Sequence, residues 1–277
     1  MHLGTPQHRD LFCRTFIETH RPYEPEDLPW PELGSPYIER LRGIPFWGIA
    51  RAMERKAGIM VSSFAGTLED PLIREAVAVQ GVEEDRHARL MSHLIERYDL
   101  RADEIPFAPP RAAHDDFVVF GYEECLDYFM GAALFGVASE LDFFPANFVA
   151  IFEETLLEEA RHITFFINWY RYEEARGGRD RWPGRVLVSA RNYVRALQRL
   201  VASFAGEQTT GFAAPAAGEI FEGLTPKRFL EAGLAQNRRF MGMLDRRLVK
   251  PTALPALARV LLTVLRALPP PRRVRVP

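Results

Sequence analysis

The sequence predicts an all-α fold, and three observations carry that prediction. Apolar residues recur at helical spacing through several long segments, and no segment alternates with the period of a strand. Three helix starts are marked by a capping residue followed by proline, at Ser35-Pro36, Asp70-Pro71 and Thr225-Pro226. There the fixed φ of proline suits the first turn, and its missing N–H would have had no partner anyway. Prolines and the pair Gly177-Gly178 then punctuate the periodic segments.

Taken in order, residues 1–35 predict a short helix from Arg9 to Thr19 and then an extended arm over the body, because Pro22, Pro25, Pro29 and Pro31 forbid regular helix. His20 in that arm has no partner at helical spacing and reads as a surface or capping residue. Ser35-Pro36 opens a long helix to about Leu68, with Gly43 to Pro45 as a kink or break. Trp47, Ala50, Glu54, Ala57, Gly58, Val61 and Ala65 fall near one of its faces, and Glu54 is the only acid on that stripe. Asp70-Pro71 opens a helix to about Tyr98, with Val77, Gln80, Glu84, His87, Met91 and Leu94 on one face. Residues 99–116 contain three prolines and read as a loop crossing the body, and His93 and His114 read as solvated or capping.

Asp115 or Asp116 can cap a third helix, from about Phe117 to Phe144, which holds Glu123, Glu124 and Asp127 and the small residues Gly131, Ala132, Ala133 and Gly136. Pro145 starts a fourth, running to Arg176, with Phe152, Thr155, Glu159, His162 and Phe166 near one face. Three more helices are expected, at Trp182–Phe204, Pro226–Leu248 and Ala253–Leu268, with a Gly/Ala-rich loop over 206–223 and a basic, proline-rich tail. The expected organisation is a single domain: an arm (1–35), a four-helix core (36–176), and additional helices packed on it (177–277).

Composition narrows the partners. Of the 277 residues, 47% are hydrophobic and 26% charged, an ordinary globular balance. A formal net charge of −2 gives no reason to expect nucleic acid. Cys13 and Cys125 are too far apart for a metal motif or a disulfide framework, which points to a reducing, cytoplasmic setting. No signal peptide and no apolar run of membrane-spanning length is visible.

The chemistry lies in two echoing segments, Glu83-Glu84-Asp85-Arg86-His87 and Glu158-Glu159-Ala160-Arg161-His162. Residues i and i+3 share a helix face, so each segment aims one carboxylate and one imidazole at the same point. Oxygen and imidazole ligands together suit iron and other first-row metals. Glu54 precedes Glu84 by 30 residues and Glu124 precedes Glu159 by 35, with prolines near both midpoints. At about 1.5 Å rise per residue, Glu54 and Glu84 come level across an antiparallel hairpin, and Glu124 and Glu159 nearly so. Glu123, Glu124 and Asp127 all remain open as the third-helix acid, since Asp127 precedes Glu159 by 32. Two such hairpins face to face surround one centre with four Glu and two His.

This pattern resembles the ferritin-like dimetal carboxylate superfamily, which includes the small subunit of class I ribonucleotide reductase, the hydroxylases of bacterial multicomponent monooxygenases, and rubrerythrin. The resemblance covers residues 36–176 and rests on Glu54, Glu84-Asp85-Arg86-His87, Glu124 and Glu159-Ala160-Arg161-His162. The stretch Glu124-Cys125-Leu126-Asp127-Tyr128-Phe129 is similar to the third helix of the reductase subunit, which favours Glu124 as the ligand. The resemblance implies a four-helix bundle with Glu84 and Glu159 bridging or chelating, Glu54 and Glu124 terminal, and His87 and His162 on one metal each. Glu158 would orient His87 and Glu83 would orient His162, crosswise, with Arg86 and Arg161 neutralising these acids. It implies two iron ions, or manganese with iron, and O₂ as co-substrate. Met91 stands seven residues after Glu84, so no tyrosyl radical is expected there. Thr155 stands where N-oxygenating members carry a third His. No rubredoxin-like Cys pairs follow, so an external electron donor is expected.

Trp47, Ala50, Tyr128, Gly131, Ala132, Phe152 and Thr155 are expected to line a pocket for a small hydrophobic or aromatic molecule. The expected activity is that of an O₂-activating oxygenase or oxidase, and a homodimer is compatible with it. Ferroxidase or iron-storage chemistry is the alternative, which the hundred or so residues after the fourth helix disfavour. A metal-free helical interaction protein is the third reading.

Overall fold

The structure is a computed structural model, which describes residues 2–178, 184–205 and 224–267, and every regular element among them is helical. The arm carries α1 (Pro6–Glu18) and a 3₁₀ turn (Pro25–Asp27). Next come α2 (Ser35–Arg42), α3 (Trp47–Ala65), α4 (Pro71–Arg97), α5 (His114–Glu140), α6 (Ala146–Ile151) and α7 (Glu153–Arg176). The last three are α8 (Gly184–Ala205), α9 (Pro226–Met243) and α10 (Ala253–Ala267). No helix among the described residues is long and apolar enough to cross a membrane.

The caps correct several expected boundaries. Thr5 caps α1 by accepting from the His8 N–H, so the helix begins at Pro6, three residues ahead of the expected Arg9. The long first core helix is broken into α2 and α3, with Phe46 as the residue before α3. Asp115 and Asp116 do not cap α5: they lie in its first turn after Ala113, where the helix dipole favours acids, and they pair with Arg195 and Arg199 of α8. That helix stops at Glu140, just before Asp142 turns to a φ of 47°. The fourth core helix is interrupted at Phe152, and α9 ends five residues short of Leu248. The expected start at Trp182, the Gly/Ala-rich loop and the basic tail lie outside the described residues.

Glycines set how closely the helices approach. Gly58 lies against the Asp85 backbone and Gly81 against Ser62, so α3 and α4 run antiparallel in tight contact. A Cβ on Gly121 of α5 would sit 2.2 Å from the Phe166 ring of α7, so this position admits only hydrogen. Helix α1 packs on α4 and α7, while α8 and α9 pack on α5. Phe12, Phe16, Val61, Val77, Phe117, Tyr122, Phe166 and Trp169 fill the space between. Each such side chain contributes about 1.5–3 kcal/mol by leaving water.

A candidate metal centre

Helix α3 supplies Glu54, α4 supplies Glu84 and His87, α5 supplies Glu124, and α7 supplies Glu159 and His162. These six converge as two sets. Ligand atoms of Glu54, Glu84, His87 and Glu159 lie within 4.8 Å of one another, and so do those of Glu84, Glu124, Glu159 and His162. Glu84 and Glu159 belong to both sets. His87 Nδ1 is 3.0 Å from a Glu159 oxygen and 3.7 Å from oxygens of Glu84 and Glu54. His162 Nδ1 is 3.0 Å from Glu84 and 3.7 Å from the second oxygen of Glu159. The two imidazole rings are 5.6 Å apart.

One expectation of level carboxylates needs correction. With Gly58 opposite Asp85, Glu54 stands opposite Arg89, five positions beyond Glu84, an axial offset of about 7.5 Å at helical rise. The length of the glutamate side chain brings its carboxylate back to His87.

The other ring nitrogens face outward in the expected crosswise pattern. His87 Nε2 donates to Glu158 at 2.9 Å, and His162 Nε2 donates to Glu83 at 2.7 Å. Those bonds leave the Nδ1 lone pairs aimed at the centre when the rings are neutral. Arg86 bonds Glu158 at 2.5 Å and Arg161 bonds Glu83 at 2.8 Å, both pairs buried.

The arm completes this layer. His20 is not a bystander of the surface: its Nδ1 lies 2.6 Å from Glu83. Arg161 is held by Thr19 Oγ1 and the Phe16 carbonyl, and Tyr23 donates to Glu158 at 3.4 Å beneath the Arg86 guanidinium. His20 and Tyr23 left no trace in the periodicity because their partners are distant in sequence. Gln80, whose amide donates to Glu84 at 3.0 Å, could be found, since it precedes Glu84 by one turn on the same face. His93 is half-buried against Trp30 rather than solvated, with ring centroids 5.1 Å apart.

Whether these residues fit metal ions can be tested on their own chemistry. Buried polar atoms are nearly always hydrogen-bonded, yet both inward Nδ1 atoms and Glu84 Oε2 have no hydrogen bond. Six carboxylates (Glu54, Glu83, Glu84, Glu124, Glu158 and Glu159) against two guanidiniums leave four negative charges, which two divalent cations would cancel. Without metal, protons take that role. Burial pushes Glu54 up to about 7, and burial with the charges of Glu84 and Glu159 raises Glu124 well above the usual range. Burial opposes charge on His87 and His162, but the surrounding carboxylates outweigh it and hold both well above ordinary histidine. Burial would also raise Glu83 and Glu84; instead the histidines, with Arg161 and His20 at Glu83, bring Glu83 to about 2 and Glu84 lower still. Each set of three carboxylates and one imidazole fits a divalent first-row ion.

A cavity of about 220 Å³ opens on Glu54, Glu124 and Glu159. Tyr128, Gly131, Phe152 and Thr155 line it as expected, and Met53, Met60, Met91 and Phe135 add to its apolar wall. Trp47, Ala50 and Ala132 do not reach it. Trp47 donates its indole N–H to the Leu41 carbonyl and packs against the apolar cluster that contains Trp30, Leu41 and Leu90. The N-terminal turn of α3 near Ala50 is covered by the crossing loop, where Asp103 abuts Gly48 and Glu104 pairs with Arg51. Ala132 is wholly buried in the main core. Of the three candidate acids of α5, Glu124 joins the centre, Glu123 turns toward Arg199 at 3.8 Å, and Asp127 lines the cavity, where burial pushes it up to about 8.

Comparison with protein-family models, with curated proteins and with solved structures finds no match to this chain.

Proposed function

We propose that this chain is a ferritin-like dimetal protein that activates O₂ to oxygenate or oxidise a small hydrophobic or aromatic molecule. The observation that supports this most is the pair of ligand sets sharing Glu84 and Glu159 beside an apolar cavity. Two iron ions, or one manganese and one iron, would supply the electrons and open coordination positions that O₂ reduction needs.

The chain's own residues set the conditions. Glu54 and His87 would hold one ion and Glu124 and His162 the other, with Glu84 and Glu159 within reach of both. Glu158 and Glu83 fix the imidazole orientation, and Arg86 and Arg161 pair with those two buried acids. The methionines and phenylalanines of the cavity exclude bulk water from the reacting face. Reducing equivalents come from an external donor. Cys13 and Cys125 are free and buried, in keeping with a reducing cytoplasmic setting.

The test is anaerobic loading with Fe(II), metal counting, and exposure to O₂ with a panel of small apolar compounds. About two irons per chain, lost in Glu159→Ala, together with O₂-dependent turnover of an organic compound, is the expected result. Accumulation of many Fe(III) per chain would mean iron handling instead. Absence of both metal and O₂ uptake would end the dimetal reading.

A further inference from the structure

Apart from its charged residues, the wall of the cavity beside the centre is apolar except at two positions. Tyr128 and Thr155 are 3% and 8% exposed, and both line it. Neither Tyr128 Oη nor Thr155 Oγ1 has a hydrogen-bond partner among the described residues. The Tyr23 phenol bonds Glu158 at 3.4 Å and stands close enough to Thr155 to interact with it, but the two hydroxyls do not meet hydrogen-bond geometry. Two unsatisfied hydroxyls in one buried wall are unusual, because each forfeits its hydration on burial. Each lies one turn from a residue of the centre: Thr155 before the shared Glu159 on α7, and Tyr128 after Glu124 on α5.

We propose that Tyr128 and Thr155 form the polar end of a substrate site, so that the cavity takes a molecule with an apolar body and one neutral hydroxyl or carbonyl group. This rests on the oxygenase reading for the word substrate, but the recognition argument rests on the cavity alone. Each hydroxyl can donate to a carbonyl oxygen, and each can accept from an alcohol. The charged groups of the cavity are placed differently. Lys56, Glu123 and Arg199 also line it, and Arg199 is already bonded to Asp116 at 2.6 Å. A carboxylate ligand would have to compete for that arginine and sit among the acids of the centre. At native packing density the volume of about 220 Å³ holds roughly ten heavy atoms, the size of a substituted benzene.

The test measures binding by calorimetry of toluene, benzyl alcohol, benzaldehyde and benzoate. It uses the full chain loaded with redox-inert Zn(II), and again the metal-free chain. Benzyl alcohol and benzaldehyde should bind at least tenfold more tightly than toluene, because the hydrocarbon leaves both hydroxyls unpaired. Tyr128→Phe with Thr155→Val should erase that preference while keeping toluene within about twofold; Thr155→Val alone, which disturbs packing least, should reduce it. Equal binding of toluene and benzyl alcohol, or a preference that survives the double variant, overturns the proposal. Tightest binding of benzoate overturns it in favour of Lys56 and Arg199, and binding of none of the four overturns it outright. Failure to take up Zn(II) would count against the dimetal reading only, since the metal-free series still decides the recognition claim.

Discussion

His20→Ala is the substitution that separates an arm that merely covers the centre from one that helps hold it. Glu83 is fully buried and accepts from His162 at 2.7 Å, Arg161 at 2.8 Å and His20 at 2.6 Å. Removing His20 leaves two of these three, so no uncompensated charge is stranded and the chain should fold. A hydrogen bond to an ionised group is worth about 1.5–3 kcal/mol. Only part of that reaches the metal, through the basicity and orientation of His162. Loss of an outer partner of a ligating histidine weakens metal binding by about 10- to 100-fold. With two partners retained, the lower end applies: about tenfold, or about 1.4 kcal/mol.

The effect should also be local. His20 acts on the position formed by Glu84, Glu124, Glu159 and His162, whereas the other position is braced by Glu158, Arg86 and Tyr23. Anaerobic Co(II) titration, followed by ligand-field absorption against a competing chelator, resolves the two binding steps. One step should weaken about tenfold in His20→Ala and the other should stay within about twofold. Tyr23→Phe should disturb the opposite step, and less, because its bond at 3.4 Å is long. Equal weakening of both steps, or none, would refute the reasoning that the arm positions one histidine through Glu83.

Other outcomes follow from the same geometry. Glu159→Gln should lower bound metal at both positions, while Glu124→Gln should spare one, as metal analysis after dialysis would show. Gly121→Ala should destabilise the fold by about 1–3 kcal/mol in urea unfolding, since its Cβ would meet the Phe166 ring at 2.2 Å. An unchanged midpoint there would mean that α5 and α7 can separate freely.

Much of the centre was legible because its ligands obey helical arithmetic. The i, i+3 spacing fixes Glu84 with His87 and Glu159 with His162 on common faces, and the prolines fix where the hairpins turn. Glu124 could not be separated from Glu123 and Asp127 by pattern. Helix α5 is buried against α7, α8 and α9, so it is apolar nearly all round and shows no stripe to set its rotation. The walls of the cavity were half legible for a related reason. A face names the residues that point inward, but where the crossing loop covers α3 decides how far along that face the cavity extends. The arm was illegible as a contributor, since His20 and Glu83 are 63 positions apart and no periodicity links them.

The charge balance of the centre turns this into a measurable proton count. With the histidines neutral, the six carboxylates and two guanidiniums carry four negative charges. In the metal-free chain the shifts point to four protons that offset them: one each on His87 and His162, which their carboxylate neighbours keep charged, and one each on Glu54 and Glu124, which burial keeps neutral. Ligands must be deprotonated to bind, so two divalent ions should displace those protons. Glu54, at about 7, is half ionised near neutrality, so release at pH 6.5 should approach four protons per two ions and decline as pH rises. Affinity should accordingly increase with pH across that range, because the metal-bound state holds fewer protons than the free one. Calorimetric titration of Mn(II) in buffers of different ionisation enthalpy gives the number directly. Release near zero would mean that the metal-free centre carries its full negative charge, and the pairing of protons with carboxylates argued from this geometry would be wrong.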